Sequence, residues 1–285
     1  MPFSTAAECV VETEWLAEHL NAPDVVVVDG SWHLPGSNRS GRAEFGERRI
    51  PGAIFFDIDD VRDKDTDLPH MLPSSIQFSS QMKKLGIGNG SRVVVYDTAG
   101  LFSAARVWWM LRAMGHSDVR VLNGGFPKWL AEDRPVEDGP ANPRSPVHFT
   151  PQVNHGLVAD IDDMRGYVHK GLKQVLDARP PTRFKGEADE PRPNLRRGHM
   201  PGASNVPYSL VLNADGTLKS ADEIRSVFDQ SEVDARKDIV ATCGSGVSAA
   251  VLALALAKIG NLEVAIYDGS WAEWGQHNGL PVATE

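Results

Sequence analysis

The chain has 285 residues, 41% hydrophobic and 24% charged, the profile of an ordinary globular protein long enough for about two domains. Its 29 Lys and Arg against 38 Asp and Glu leave a net charge of −9, the wrong sign for a surface that must displace counterions from nucleic acid. No apolar run reaches the ~18 residues needed to span a bilayer, and two cysteines, Cys9 and Cys243, make neither a disulfide framework nor a structural zinc site.

In chain order, the first twenty residues carry Glu8, Glu12 and Glu14 but no Arg. They fit neither a secretory signal nor a transit peptide, so a cytoplasmic location is expected. Cys9 falls near an unanchored N-terminus and reads as non-catalytic. Val25–Val28 and Val93–Tyr96 are unbroken β-branched runs and predict buried strands. Ser103–Met114 predicts a helix stopped by Gly115, with Trp108 and Trp109 as core residues, and Val119–Leu122 predicts a third strand. From Glu132 to Asn154 five prolines remove donors and fix φ, which predicts an extended linker. Val175–Leu176, Ile239–Thr242 and Val264–Tyr267 are the next strands. The helix Val247–Ile259, stopped by Gly260, lies between the last two.

The chain repeats itself once. Arg48–Asp59 (RRIPGAIFFDID) returns as Arg196–Tyr208, Arg92–His116 as Lys237–Asn261, and Val121–Leu130 as Ala265–Gly275. Asp29 maps to Asp177, Pro51 to Pro201, Asp97 to Cys243 and Gly125 to Gly269, at almost one offset. Two copies of one fold follow, 1–140 and 155–285, joined by a Pro-rich linker at 141–154. Helices crossing between apolar strands imply a mainly parallel sheet with helices on both faces, an α/β fold. Ligands of such sheets bind beyond the carboxyl ends of the strands, and the residue after Ile239–Thr242 is Cys243.

In the loop CGSGV, Gly244 and Gly246 let the backbone wrap tightly, through φ values that side chains forbid. Such a wrap turns N–H groups inward as an anion cup, and the following helix adds positive potential. Only about 3% of an ordinary thiol is ionised at pH 7, and the cup favours more. A phosphatase loop would place Arg six residues after the Cys; that position is Ala249, and the loop holds no cation. The first copy has Asp97 at the matching place, a carboxylate that would repel another anion from such a cup, so that domain is expected to be inactive.

The tandem repeat, the Cys loop confined to the second copy, and the HMLP and PGA segments closely resemble two-domain rhodanese-type sulfurtransferases. CGSGV resembles the loop of the 3-mercaptopyruvate branch, CGSGVT, more than CRKGVT of the thiosulfate branch; Ser248 stands where Thr is usual. The resemblance implies two tandem rhodanese-like domains and a nucleophile, Cys243, that becomes a persulfide. It implies Ser245 beside it in a relay with His70 and Asp59, supplied by FFDIDDVRDKDTDLPHMLP of the first copy. The relay would either protonate the enolate product or deprotonate the substrate thiol. Arg183 and Arg192 of TRFKGEADEPR would bind substrate, together with Gly244, Gly246, Val247 and Ser248, while Arg196 and Arg197 are neighbours without that role. Guanidinium forks suit the planar carboxylate of 3-mercaptopyruvate. Neither metal nor organic cofactor is implied. The acceptor would be a thiol, such as thioredoxin, or cyanide, and the chain is expected to be a monomer. Two rival readings are a thiosulfate:cyanide sulfurtransferase and a non-enzymatic persulfide carrier.

Overall fold

A computed structural model describes residues 8–284. Ten strands form two five-stranded sheets: β1 (Val10–Val11), β2 (Val25–Asp29), β3 (Ile54–Phe55), β4 (Arg92–Tyr96) and β5 (Val119–Leu122), then β6 (Val158–Ala159), β7 (Gln174–Asp177), β8 (Ser204–Asn205), β9 (Ile239–Thr242) and β10 (Ala265–Tyr267). The first sheet runs β1-β5-β4-β2-β3 and the second β6-β10-β9-β7-β8, with every pairing parallel. All six strands expected from sequence are present within a residue or two at their ends. The four edge strands have two residues each, too short for any periodic signal.

Side-chain alternation along these strands sorts the apolar residues into three layers. Val25, Val27, Val94 and Tyr96 face an outer core of the first domain, and Val175, Val240 and Tyr267 face its equivalent in the second. The opposite faces, with Val26, Val28, Val93 and Val95 from one sheet and Leu176, Ile239, Ala241 and Ile266 from the other, belong to a single continuous core. The helices Ser103–Ala113 and Ala249–Lys258 fill that middle layer, the second with every residue but Lys258 buried. Apolar side chains all round a helix require cover on every side; here the cover is the other domain. Trp108 and Trp109 are core residues, and Trp109 Nε1 donates to Leu157 O at 2.9 Å. Gly115 and Gly260 follow the two helices with φ of 85° and 103°. The second helix starts at Ala249 rather than Val247, because the glycine-turned loop continues through Ser248.

Cys9 is a correction to the sequence reading. It precedes β1, lies in the central core and directs its thiol toward Leu254 O of the other domain, so the chain is anchored there. Burial pushes the Cys9 thiol up to about 11, which keeps it protonated and unreactive.

The Pro-rich stretch is extended but not loose. Phe149 is buried against Phe78, while Gln152 and Asn154 donate to Met114 O and Ala113 O at the end of the central helix. At its start, buried Arg49 donates to Glu137 Oε1 at 2.9 Å and to the carbonyls of Phe45, Asp138, Gly139 and Pro140. Removing one side of so many charge-assisted bonds leaves acceptors unsatisfied. Arg49→Met is therefore expected to lower stability by about 2–4 kcal/mol, read as a reduced urea midpoint with faster protease cleavage between residues 137 and 150.

Candidate active site

Cys243 follows β9 directly, and its side chain is almost wholly enclosed, with 2% exposure. The loop is pinned from below: Cys243 N–H donates to Ser270 Oγ at 3.3 Å, while Trp271 N–H and Ala272 N–H donate to the carbonyls of Cys243 and Gly244 at 2.9 Å each. The N–H groups from Gly244 to Ser248 donate to no protein acceptor among the described residues. That leaves a row of main-chain donors at the N-terminus of the central helix, the arrangement that holds an anion. Gly246 takes a left-handed φ of 76°, as expected. Gly244 does not, which corrects the reading that both glycines serve the turn. Its missing side chain makes room instead: a Cβ there would lie 3.0 Å from Arg183 Nη2. Val247 packs into the central core, and Ser248 precedes the helix without capping it through its hydroxyl.

The first copy shows what such a cup holds. Asp97 occupies the place of Cys243, and its carboxylate accepts from the N–H groups of Ala99, Phe102 and Ala104 at 2.9, 2.7 and 2.8 Å. Burial pushes its carboxyl upward, against the pull of those three bonds. The first domain's cup is filled by its own side chain and has no room for a substrate anion.

His70 reaches the site from the first domain and is buried, with a left-handed φ of 62°. The aligned residue of the second copy is Gly216, at 79°, so His70 holds a backbone shape that glycine adopts without strain. Its Nδ1 faces Asp59 Oδ1 at 3.3 Å, without the alignment of a hydrogen bond. Its Nε2 lies 3.2 Å from Arg192 Nη2. Since a guanidinium only donates, Nε2 is the acceptor and the ring proton sits on Nδ1. Burial first, then the charges of Arg106, Arg192 and Arg62, hold His70 down to about 3, so the ring is neutral at physiological pH. Asp59 is oriented by Trp32 Nε1, which donates to its Oδ2 at 3.0 Å, and the Trp32 ring stands edge-on to His70 at 4.8 Å. Ser245 is buried in the Cys loop, but its hydroxyl bonds to no side chain among the described residues; His70 Nε2 is engaged by Arg192 rather than by Ser245.

Arg183 is held by Glu190 through Nε at 3.1 Å and through Nη2. Glu190 has its side chain buried between Arg183 and Arg179. Arg179 is tied in turn to Asp177 at the end of β7 and lies over the Trp271 ring. Burial pushes the Arg192 guanidinium down, against the favourable charges of Cys243, Asp59 and Glu190 and together with the repulsion of Arg183. Arg196 and Arg197 are engaged elsewhere, with the carbonyls of Trp274 and Leu280 and with surface Asp189. The sequence reading did not reach Trp32, Arg179 or Arg106, a buried guanidinium from the first domain whose Nη1 lies 3.4 Å from Gly246 O. Two signals could have found them: Trp32 follows the carboxyl end of β2, and Arg106 is a charge inside an otherwise apolar helical run. The absence of a cation in the loop holds for the loop but not for the site, where three guanidiniums converge. Asp59, His70 and Arg192 line a cavity of about 440 Å3 that extends along Trp32 and His33 to Arg39.

The Rhodanese-like domain family matches residues 12–132 and 160–277. Human 3-mercaptopyruvate sulfurtransferase is 42% identical over 271 residues, 93% of this chain and 91% of that protein. The thiosulfate sulfurtransferase of Bos taurus is 43% identical over 272 residues, again 93% and 91%. The crystal structure of SseA from Escherichia coli superposes with a TM-score of 0.85 at 40% identity, covering 93% of this chain and 99% of that one.

Folding excludes from His70 a proton that the unfolded chain binds below pH 6.5, so the folded state binds fewer protons and loses stability as pH falls from 6.5 toward about 3. Each unit of that window is worth about 1.4 kcal/mol. His70→Gln is expected to flatten the acid limb of the urea-midpoint profile relative to the parent chain; comparing the two cancels other buried groups, such as Asp29. Parallel profiles would show that folding leaves proton binding by His70 unchanged.

Proposed function

The chain belongs to the rhodanese-like family with two copies of its domain, and we propose that it moves sulfur from 3-mercaptopyruvate, through a persulfide on Cys243, to a thiol or cyanide. It is a sulfurtransferase by that membership, and the site supplies the parts of the chemistry. The carrying observation is the buried Cys243 in a cup of free N–H donors, with Arg183 against Gly244 and Arg192 against His70.

In the first half-reaction the Cys243 thiolate attacks the substrate sulfur. An S–S bond forms and the C–S bond breaks, with its electron pair passing to carbon as the enolate of pyruvate. The proton of the substrate thiol must leave sulfur, and one proton must reach that carbon, so the step is redox-balanced without a co-reactant. The substrate carboxylate competes with His70 Nε2 for Arg192, which frees the lone pair of a neutral imidazole to carry the proton. Asp59 faces the Nδ1 proton and Ser245 lies in the Cys loop, the two ends of the proposed relay. In the second half-reaction the acceptor attacks the outer sulfur, the S–S bond breaks, and Cys243 leaves as thiolate.

Thiosulfate is the second reading, favoured by one observation: Arg183 and Arg192 give the cup the positive charge that its own sequence lacks. The ratio of kcat/KM on the two donors decides between them. The acceptor in this reading is a thiol, such as thioredoxin, or cyanide. The same reading takes the protein to be cytoplasmic and monomeric, in keeping with two free cysteines and no described helix long and apolar enough to cross a membrane.

Incubation with 3-mercaptopyruvate is expected to add one sulfur atom to the intact chain and to release pyruvate, and Cys243→Ser should abolish both. Persistence of either signal in that variant would refute the assignment. Arg183→Ala should raise KM for 3-mercaptopyruvate about 10- to 100-fold with little change in kcat, the loss of one charged hydrogen-bonding group from uniform binding.

A further inference from the structure

Two copies of one fold packed face to face give contacts across their interface in related pairs. Leu218 N–H of the second domain donates to Asn123 Oδ1 of the first at 2.8 Å. Leu72 N–H of the first donates to Asp268 Oδ2 of the second at 2.6 Å. Asn123 and Asp268 each stand directly after the last long strand of their copy, β5 and β10. One side of the pseudo-twofold is thus neutral and the other charged. The charge on the second side is answered by Arg106, whose aligned residue is Val251: Ser103-Ala104-Ala105-Arg106 matches Ser248-Ala249-Ala250-Val251.

Arg106 has 0% exposure, and its guanidinium lies over the Trp109 ring at 4.3 Å. Nη2 donates to Asp268 Oδ1 at 2.7 Å and to His70 O at 2.5 Å, while Nη1 approaches Gly246 O at 3.4 Å. The two carbonyls belong to the residue that turns the Cys loop and to the histidine of the site, and both residues have left-handed φ. In a planar trans peptide the carbonyl and the next N–H point in opposite directions. Drawing Gly246 O toward Arg106 therefore aims Val247 N–H the other way, to the open side of the loop. The contact to His70 O braces a residue whose φ would otherwise relax.

We propose that Arg106, paired with Asp268, is a positioning residue that sets the Cys243 loop and His70 in register across the domain interface. It touches neither substrate nor sulfur. The inference rests on the sulfurtransferase reading and adds to it a residue outside the Cys loop, the relay and the substrate arginines. A planar fork meets acceptors on three segments at once, which an ammonium cannot do in the same geometry.

The test uses the full-length chain. Arg106→Val with Asp268→Asn copies the neutral arrangement of the opposite side of the pseudo-twofold, so no buried charge is left alone; Arg106→Lys keeps the charge and loses the fork. In both variants kcat for 3-mercaptopyruvate is expected to fall about 10- to 100-fold, the scale of an ångström-sized misplacement, with KM within about threefold. Alkylation of Cys243 by iodoacetamide should slow in parallel. A cooperative thermal transition identifies the folded variants. Should the double variant fail to fold, Arg106→Lys carries the same comparison. Unchanged kcat and alkylation in either folded variant overturn the role. Sulfur loading of the parent chain on Cys243 is checked first, and its failure removes the sulfurtransferase reading and this role together; normal loading with fully active variants removes only Arg106.

Discussion

Arg106 sits in the middle apolar layer without access to solvent, and its acceptors lie on three segments that only one arrangement of the two domains brings together. Apolar contact between the helices Ser103–Ala113 and Ala249–Lys258 supplies most of the attraction but little direction, because burial of hydrocarbon is nearly indifferent to small rotations and slides. A guanidinium removed from water is not indifferent. Several kcal/mol of hydration are lost unless its donors meet acceptors at bonding distance, so slippage at the interface is opposed by a steep polar cost. The continuous core and the charge within it therefore act on different coordinates: one holds the domains together, and the other selects their register.

The site combines departures from symmetry in both copies. Where the first copy fills its cup with the Asp97 carboxylate, the second leaves the N–H groups free and places Cys243 at the rim. Strand register matches Gly125 to Ser270 rather than to Gly269, a shift of one from the sequence offset; the loop of the first copy is one residue longer, and a Cβ at Gly125 would meet Gly100 O at 2.3 Å. The shorter second loop leaves room for Ser270, which keeps a φ of 49° and offers its hydroxyl to Cys243 N–H. In the other direction, His70 of the first copy takes the shape that Gly216 holds in the second. At the last two positions a glycine of one copy is matched by a residue with a functional group in the other. The first domain thus brings His70, Asp59, Trp32 and Arg106 to the cleft beside the Cys243 loop of its neighbour.

Much of this was legible from local pattern. The β-branched runs, the helix stops at Gly115 and Gly260, the near-constant offset of the repeat and the strand-end position of Cys243 are properties of a few adjacent residues, and they reappear in the fold with shifts of one or two positions. The two-residue edge strands escaped because pairing with a long neighbour, not their own composition, makes them extended. Cys9 was misplaced for a related reason: next to an unpatterned N-terminal stretch, nothing local reveals that β1 will dock beside β5 and bury the thiol against Leu254. The neighbours of Glu190 in sequence are acidic, whereas its neighbours in space are Arg179 and Arg183, and nothing local reveals that pairing.

By itself the sequence determined the doubled α/β architecture, the family resemblance and the candidate for the nucleophile, since strand, turn and helix preferences and the wrapping of a glycine-containing loop are set by short-range sterics. Only the tertiary structure decided which charges face that nucleophile. Arg106 comes from 137 residues earlier in the chain and His70 from 173 earlier. Their approach depends on how two buried faces mate, and apolar burial, the force that mates them, is non-directional and carries no address that can be read along a single chain.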